Sequence, residues 1–133
     1  MNEKLVTACA IVSEEHVRQA LLRQMLGPLA FPKGLISVEQ GIAARRRADI
    51  VVYVKQGSTL KPLLLIECKK FKMDEEAYAQ AMGYNTHLKA FFWALAHAGG
   101  IRTFWKEQGS IQSVGFLPPY PQLIKRIPYQ TAL

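Results

Sequence analysis

The run Leu63-Leu64-Leu65-Ile66 passes directly into Glu67-Cys68-Lys69. Entered after Pro62, it reads as a β-strand whose far end carries an acid, a thiol and a base. Strand side chains alternate, so Glu67 and Lys69 point to one face with Cα atoms about 7 Å apart, and Cys68 points into the opposite layer. A second strand, Ile50 to Val54, is β-branched and aromatic, and Asp49 stands at its mouth behind Arg45, Arg46 and Arg47. If the two strands are neighbours, Asp49 and Glu67 converge on one point. Two carboxylates and a lysine at one sheet end are costly to gather without a compensating interaction.

The remaining pattern supplies the frame. Ser13 is a helix N-cap with Glu14 and Glu15 in the first turn, and Val17, Ala20, Leu21 and Met25 follow at helical spacing until Gly27-Pro28. Leu35 to Gln40 reads as a short strand, Gly41 to Arg47 as a turn with a basic corner, and Gln56 to Thr59 as a turn. Asp74 caps a second helix in which Ala77, Gln80, Ala81, Tyr84 and Leu88 share a face, and Gly83 in its middle suggests close packing. Phe91 to Ala96 and Ile101 to Trp105 read as strands. The prolines at 118, 119 and 121 predict an extended tail. The expected organisation is a domain over 1–114 and a proline-rich tail over 115–133, packed on the domain or extending from it. Helix, three strands, helix, two strands predicts a mixed sheet flanked by helices.

A chain of 133 residues, 50% hydrophobic and 20% charged, supports one core and is neither disordered nor membrane-spanning in composition. Its apolar runs fall far short of the ~20 residues that cross a bilayer. Met1-Asn2-Glu3-Lys4 lacks the pattern of a signal peptide, and two cysteines make neither a disulfide framework nor a zinc site, so the expectation is a cytoplasmic protein without a membrane. The net charge is +7, and residues 33–72 alone hold nine positive and three negative side chains. That concentration points to a polyanion or to a basic, solvated surface.

Two acids repel unless a cation bridges them, and hard oxygen ligands suit Mg²⁺, with Mn²⁺ as substitute. A lysine beside them can orient water, take its proton, or stabilise charge on a phosphate. The plainer alternative is a Glu67–Lys69 ion pair on an edge strand with Asp49 as a loop acid.

With these residues in place, the chain resembles the PD-(D/E)xK nuclease superfamily, and within it the small nuclease domain at the N-terminus of type I restriction endonuclease R subunits. The likeness runs from about Glu15 to about Trp105. It comprises Glu15-x-x-Arg18-Gln19, Arg47-Ala48-Asp49-Ile50-Val51-Val52, Ile66-Glu67-Cys68-Lys69 and Gln80-x-x-x-Tyr84. Ala48 stands where the family name has proline. No Gly-x-x-x-x-Gly-Lys-[Ser/Thr] motif is present, so the resemblance does not extend to a translocating motor.

The resemblance implies a restriction-endonuclease-like three-layer α/β/α fold with a central mixed sheet, and a Mg²⁺-dependent deoxyribonuclease acting on DNA. It implies Asp49, Glu67 and the backbone carbonyl of Cys68 as metal ligands, with Glu15 reaching the metal directly or through water. Lys69 would be the catalytic lysine, and Gln80 and Tyr84 would line the site. Arg45, Arg46, Arg47, Lys70 and Lys72 are the candidates for nucleic-acid contact. Bland readings stand beside these: Glu15 as a helix-terminus acid, Tyr84 as core, the arginines as a solvated corner. Glu39 reads as structural or peripheral, and Cys68 as buried and inert. The alternative functions are a non-catalytic nucleic-acid-binding module and a subunit of a restriction or repair assembly. A homodimer or a partner subunit is the expected company.

Overall fold

The computed structural model describes residues 13–43, 46–69 and 74–127. Its elements are α1 (Glu14–Leu26), a 3-10 turn (Lys33–Leu35), β1 (Ile36–Ala43), β2 (Arg46–Gln56) and β3 (Thr59–Cys68), then α2 (Glu75–Leu88), β4 (Phe92–His97), β5 (Gly100–Glu107), β6 (Ser110–Val114) and α3 (Tyr120–Arg126). The six strands form one sheet in sequential order, β1 to β6. Every neighbouring pair is antiparallel except β3 and β4, which run parallel with α2 as the crossover between them.

Side-chain alternation divides the core into two layers. Ile50, Val52, Leu64, Ile66 and Cys68 face α1 and α3, where they meet Val17, Leu21, Met25 and Leu123. Val51, Leu65, Trp93 and Leu95 face α2, where they meet Ala77, Ala81 and Tyr84. The result is the three-layer α/β/α arrangement with a mixed sheet that the sequence predicts. Among the described residues, no helix is long and apolar enough to cross a membrane.

Local chemistry accounts for the boundaries. The Ser13 hydroxyl accepts from the His16 N–H at 3.1 Å and the Asp74 carboxylate from the Ala77 N–H at 2.8 Å, so both helices start at their expected caps. The turn between β2 and β3 places Gly57 at a φ of 63°.

Several expectations change, beginning with a sixth strand, β6, where the sequence predicts two strands after α2. The predicted turn over 41–47 is shorter, because β1 runs on to Ala43 and β2 already begins at Arg46. The segment after Gly115 is not extended throughout. Pro121 lies in the first turn of α3, where a missing N–H costs nothing. Leu123 there is 0% exposed, the Tyr120 N–H donates to the Leu29 carbonyl, and Arg126 pairs with Glu107 at 2.7 Å while lying over the Trp105 ring. Finally, Gly83 does not mark close packing, since a Cβ added there would meet nothing within 4 Å.

Two outcomes follow. Gly83→Ala, in open space within α2, should raise stability by up to about 1 kcal/mol, read as a higher thermal midpoint. Leu123→Ala should cost about 2–4 kcal/mol in chemical denaturation, because α3 plugs the α1-side core.

Candidate active site

The site forms where the β2–β3 ladder ends. The last backbone pair is Ile50 with Ile66. One step further, side chains replace the ladder. The Asp49 N–H donates to Glu67 Oε2 at 3.0 Å, and the Cys68 N–H donates to Asp49 Oδ2 at 2.7 Å. Each carboxylate thus closes the neighbouring strand's open amide, and the two acids meet as a direct result. The Lys69 N–H donates to the Ala96 carbonyl at 2.7 Å, which ties the end of β3 to β4.

Lys69 extends toward α2. Its ammonium donates to the Gln80 side-chain oxygen, and the Gln80 amide nitrogen donates to the Tyr84 hydroxyl at 2.9 Å. One helical turn separates Gln80 from Tyr84, so both lie on the face turned to the strand end. The sheet end therefore brings together Asp49, Glu67, Lys69, Gln80 and Tyr84.

The acids are electrostatically loaded. Glu67 is only 4% exposed. Burial, followed by the Asp49 charge beside it, pushes its carboxyl from the usual 4.5 to about 8. Burial also raises Asp49, against the opposing hydrogen bond from the Cys68 amide. Two carboxylates in this state need a proton or a cation. Their hard oxygen donors, on neighbouring strands, fit a divalent ion such as Mg²⁺ or Mn²⁺. The third side-chain ligand is not assembled: among the described residues, no three His, Cys, Asp or Glu side chains form a ready metal cluster.

The family model for the type I restriction enzyme R protein N terminus matches residues 13–118. The chain belongs to that family. The resemblance read from the ordered motifs is borne out at this level. Comparison with curated proteins and with solved structures gives no match.

Two acids stand in the first turn of α1, of which Glu15 is the one the resemblance places near the metal. Glu15 is exposed and bonded to its own helix: Gln19 donates to it at 2.7 Å and Arg18 pairs with it at 2.5 Å, which holds its carboxyl below the usual range. Its neighbour Glu14 is the α1 acid whose charge acts on Asp49, Glu67 and Cys68, raising all three. Arg18 also acts on Asp49 and reaches across to Glu39 on β1 at 3.6 Å. From sequence, Glu14 reads as a first-turn acid and Arg18 as part of the Glu15 motif, neither with a role at the site. Their signal was the first-turn pair Glu14-Glu15, but which acid turns toward the sheet depends on how α1 is rotated about its axis.

Cys68 is buried in the α1-side core, and burial drives its thiol upward, away from the thiolate form. Arg47 is exposed on β2, two residues before Asp49. Arg45, Lys70 and Lys72 lie outside the described residues, as does the side chain of Arg46.

The sign of the pH dependence follows from Glu67. A carboxyl raised in the folded state binds more protons folded than unfolded, so stability falls as pH rises from about 4.5 to about 8. Without divalent ions, Glu67→Gln should flatten that fall, a difference of a few kcal/mol across the window in denaturation at stepped pH.

Proposed function

We propose that this chain is a metal-dependent nuclease that hydrolyses phosphodiester bonds in DNA, in a restriction-related setting. The observation that supports this most is the reciprocal closure of the β2 and β3 ends by Asp49 and Glu67, with Lys69 next in the chain and held by Gln80. Membership of a restriction-enzyme family supports the same setting.

Asp49, Glu67 and the carbonyl of Cys68 are the groups that would hold Mg²⁺ or Mn²⁺. Such an ion supplies Lewis-acid polarisation of a phosphoryl oxygen and eases deprotonation of water. The protein's own residues do the rest. Asp49 and Glu67 are held by backbone amides, so a cation would meet both carboxylates without a side-chain search. Lys69 carries its ammonium to the same sheet face as Glu67, where it can stabilise charge on a phosphate. Gln80, fixed by Tyr84, holds that ammonium in place.

Nine positive against three negative side chains over 33–72 favour a polyanion, and Arg47 presents an exposed charge two residues before Asp49. A second copy of this chain, or a partner subunit, would supply the second cut of a duplex.

Asp49→Asn keeps an acceptor for the Cys68 amide, and Lys69→Ala removes the ammonium together with its aliphatic stem. Each should lower Mg²⁺- or Mn²⁺-dependent cleavage by at least about 100-fold with little change in thermal midpoint. The assay uses plasmid, linear duplex and single strands. Wild-type protein that leaves all three intact while binding them without a cation would instead identify a non-catalytic binding module.

A further inference from the structure

Glu39 has a φ of 51°, a left-handed conformation that a glutamate in a strand rarely adopts. The β1–β2 ladder pairs Ser37 with Val51, Val38 with Ile50 and Gln40 with Ala48. It skips the position where Glu39 would face Asp49. In ordinary extended backbone, residues opposite each other share a face. Glu39 would then add a third carboxylate beside Asp49 and Glu67. The left-handed turn sends its side chain instead to Arg18 on α1, at 3.6 Å.

The ion pair does not by itself offset the cost of this conformation, although the Ser37 hydroxyl also donates to the Gln40 side chain across the turn at 2.9 Å. The ion pair is long and Glu39 is more than half exposed, and such pairs return less than a strained non-glycine backbone costs. Arg18, in contrast, is largely buried. Its Nε lies buried without an acceptor, so its two outer nitrogens, on Glu15 and Glu39, fix the guanidinium. It thereby links the first turns of α1 to β1, beside the strand end that carries the acids.

We infer that Glu39 is a positioning residue: from its left-handed backbone it holds Arg18, and through Arg18 it keeps the first turns of α1 against the end of the strands that bear Asp49 and Glu67. The inference deepens the proposed cation site and rests on it only for its functional consequence.

The test compares wild type, Glu39→Gln and Glu39→Gly in the full chain. The glutamine keeps shape without charge, and the glycine removes the backbone strain together with the ion pair. Amide exchange over residues 14–19 should quicken by about threefold or more in both variants, with no such change in β4 or β5. The thermal midpoint of Glu39→Gly should equal or exceed that of wild type. Mn²⁺ affinity, titrated by electron paramagnetic resonance, should weaken about tenfold in both, as for a residue that orients ligands from behind. Unchanged exchange over 14–19 overturns the inference, as does a lowered midpoint with uniformly faster exchange, which marks a merely structural role. Variant Mn²⁺ affinity within twofold of wild type also overturns it. If wild type binds no Mn²⁺, the cation reading fails, and the exchange data still decide the role of Glu39.

Discussion

The crossed pair of hydrogen bonds at the end of β2 and β3 is the constraint on which the site depends. A backbone ladder satisfies its own amides, but at a strand end it leaves some open. Here those amides are closed by side chains, Asp49 onto Cys68 and Glu67 onto Asp49. The same contacts that finish the sheet fix two carboxylates together in a poorly solvated place. The amide donors that finish the sheet offset part of the cost of gathering two acids there, at the atoms of the proposed cation site. Each acid gains a backbone donor, and Glu67 in addition lies in the field of Asp49.

The sheet topology then delivers the other participants. Because β3 and β4 are parallel, the chain must cross over, and α2 starts at the end where β3 finishes. Residues of the first turns of α2 are thereby brought close to Lys69. Gln80 and Tyr84 need only helical spacing to reach it. The Lys69 amide on the Ala96 carbonyl holds the strand side of this contact still.

Much of this was legible in the chain itself, for identifiable reasons. Caps at Ser13 and Asp74 are local chemistry, and the strand alternation that separates Cys68 from Glu67 and Lys69 is local geometry. The motif pairs at short spacing carried over because helices and strands convert spacing directly into direction. What escaped was tertiary or polar. β6 is a strand of Ser110-Ile111-Gln112-Ser113-Val114 with an exposed surface, so it has little hydrophobic pattern to read. Its turn, Gln108-Gly109 with both φ values positive, was the available sign of a hairpin. α3 was hidden by prolines, which break a helix interior but suit its first turn. The choice between Glu14 and Glu15 was illegible, since neighbouring first-turn acids look alike until α1 is docked.

Alternation along β3 has a consequence for what the chain can tolerate. Ile66 and Cys68 serve one layer, Leu65 the other, and Glu67 and Lys69 continue on Leu65's side. A slip of one residue would exchange every assignment at once, driving charge into the apolar layer and a thiol to the sheet end. The irregularity that pairs Tyr53 with Pro62 sets the count from there to Glu67. The number of residues between Pro62 and Lys69 is therefore held more strictly than their identity: apolar exchanges within the run are survivable, whereas a single insertion or deletion would dismantle core and chemistry in one stroke.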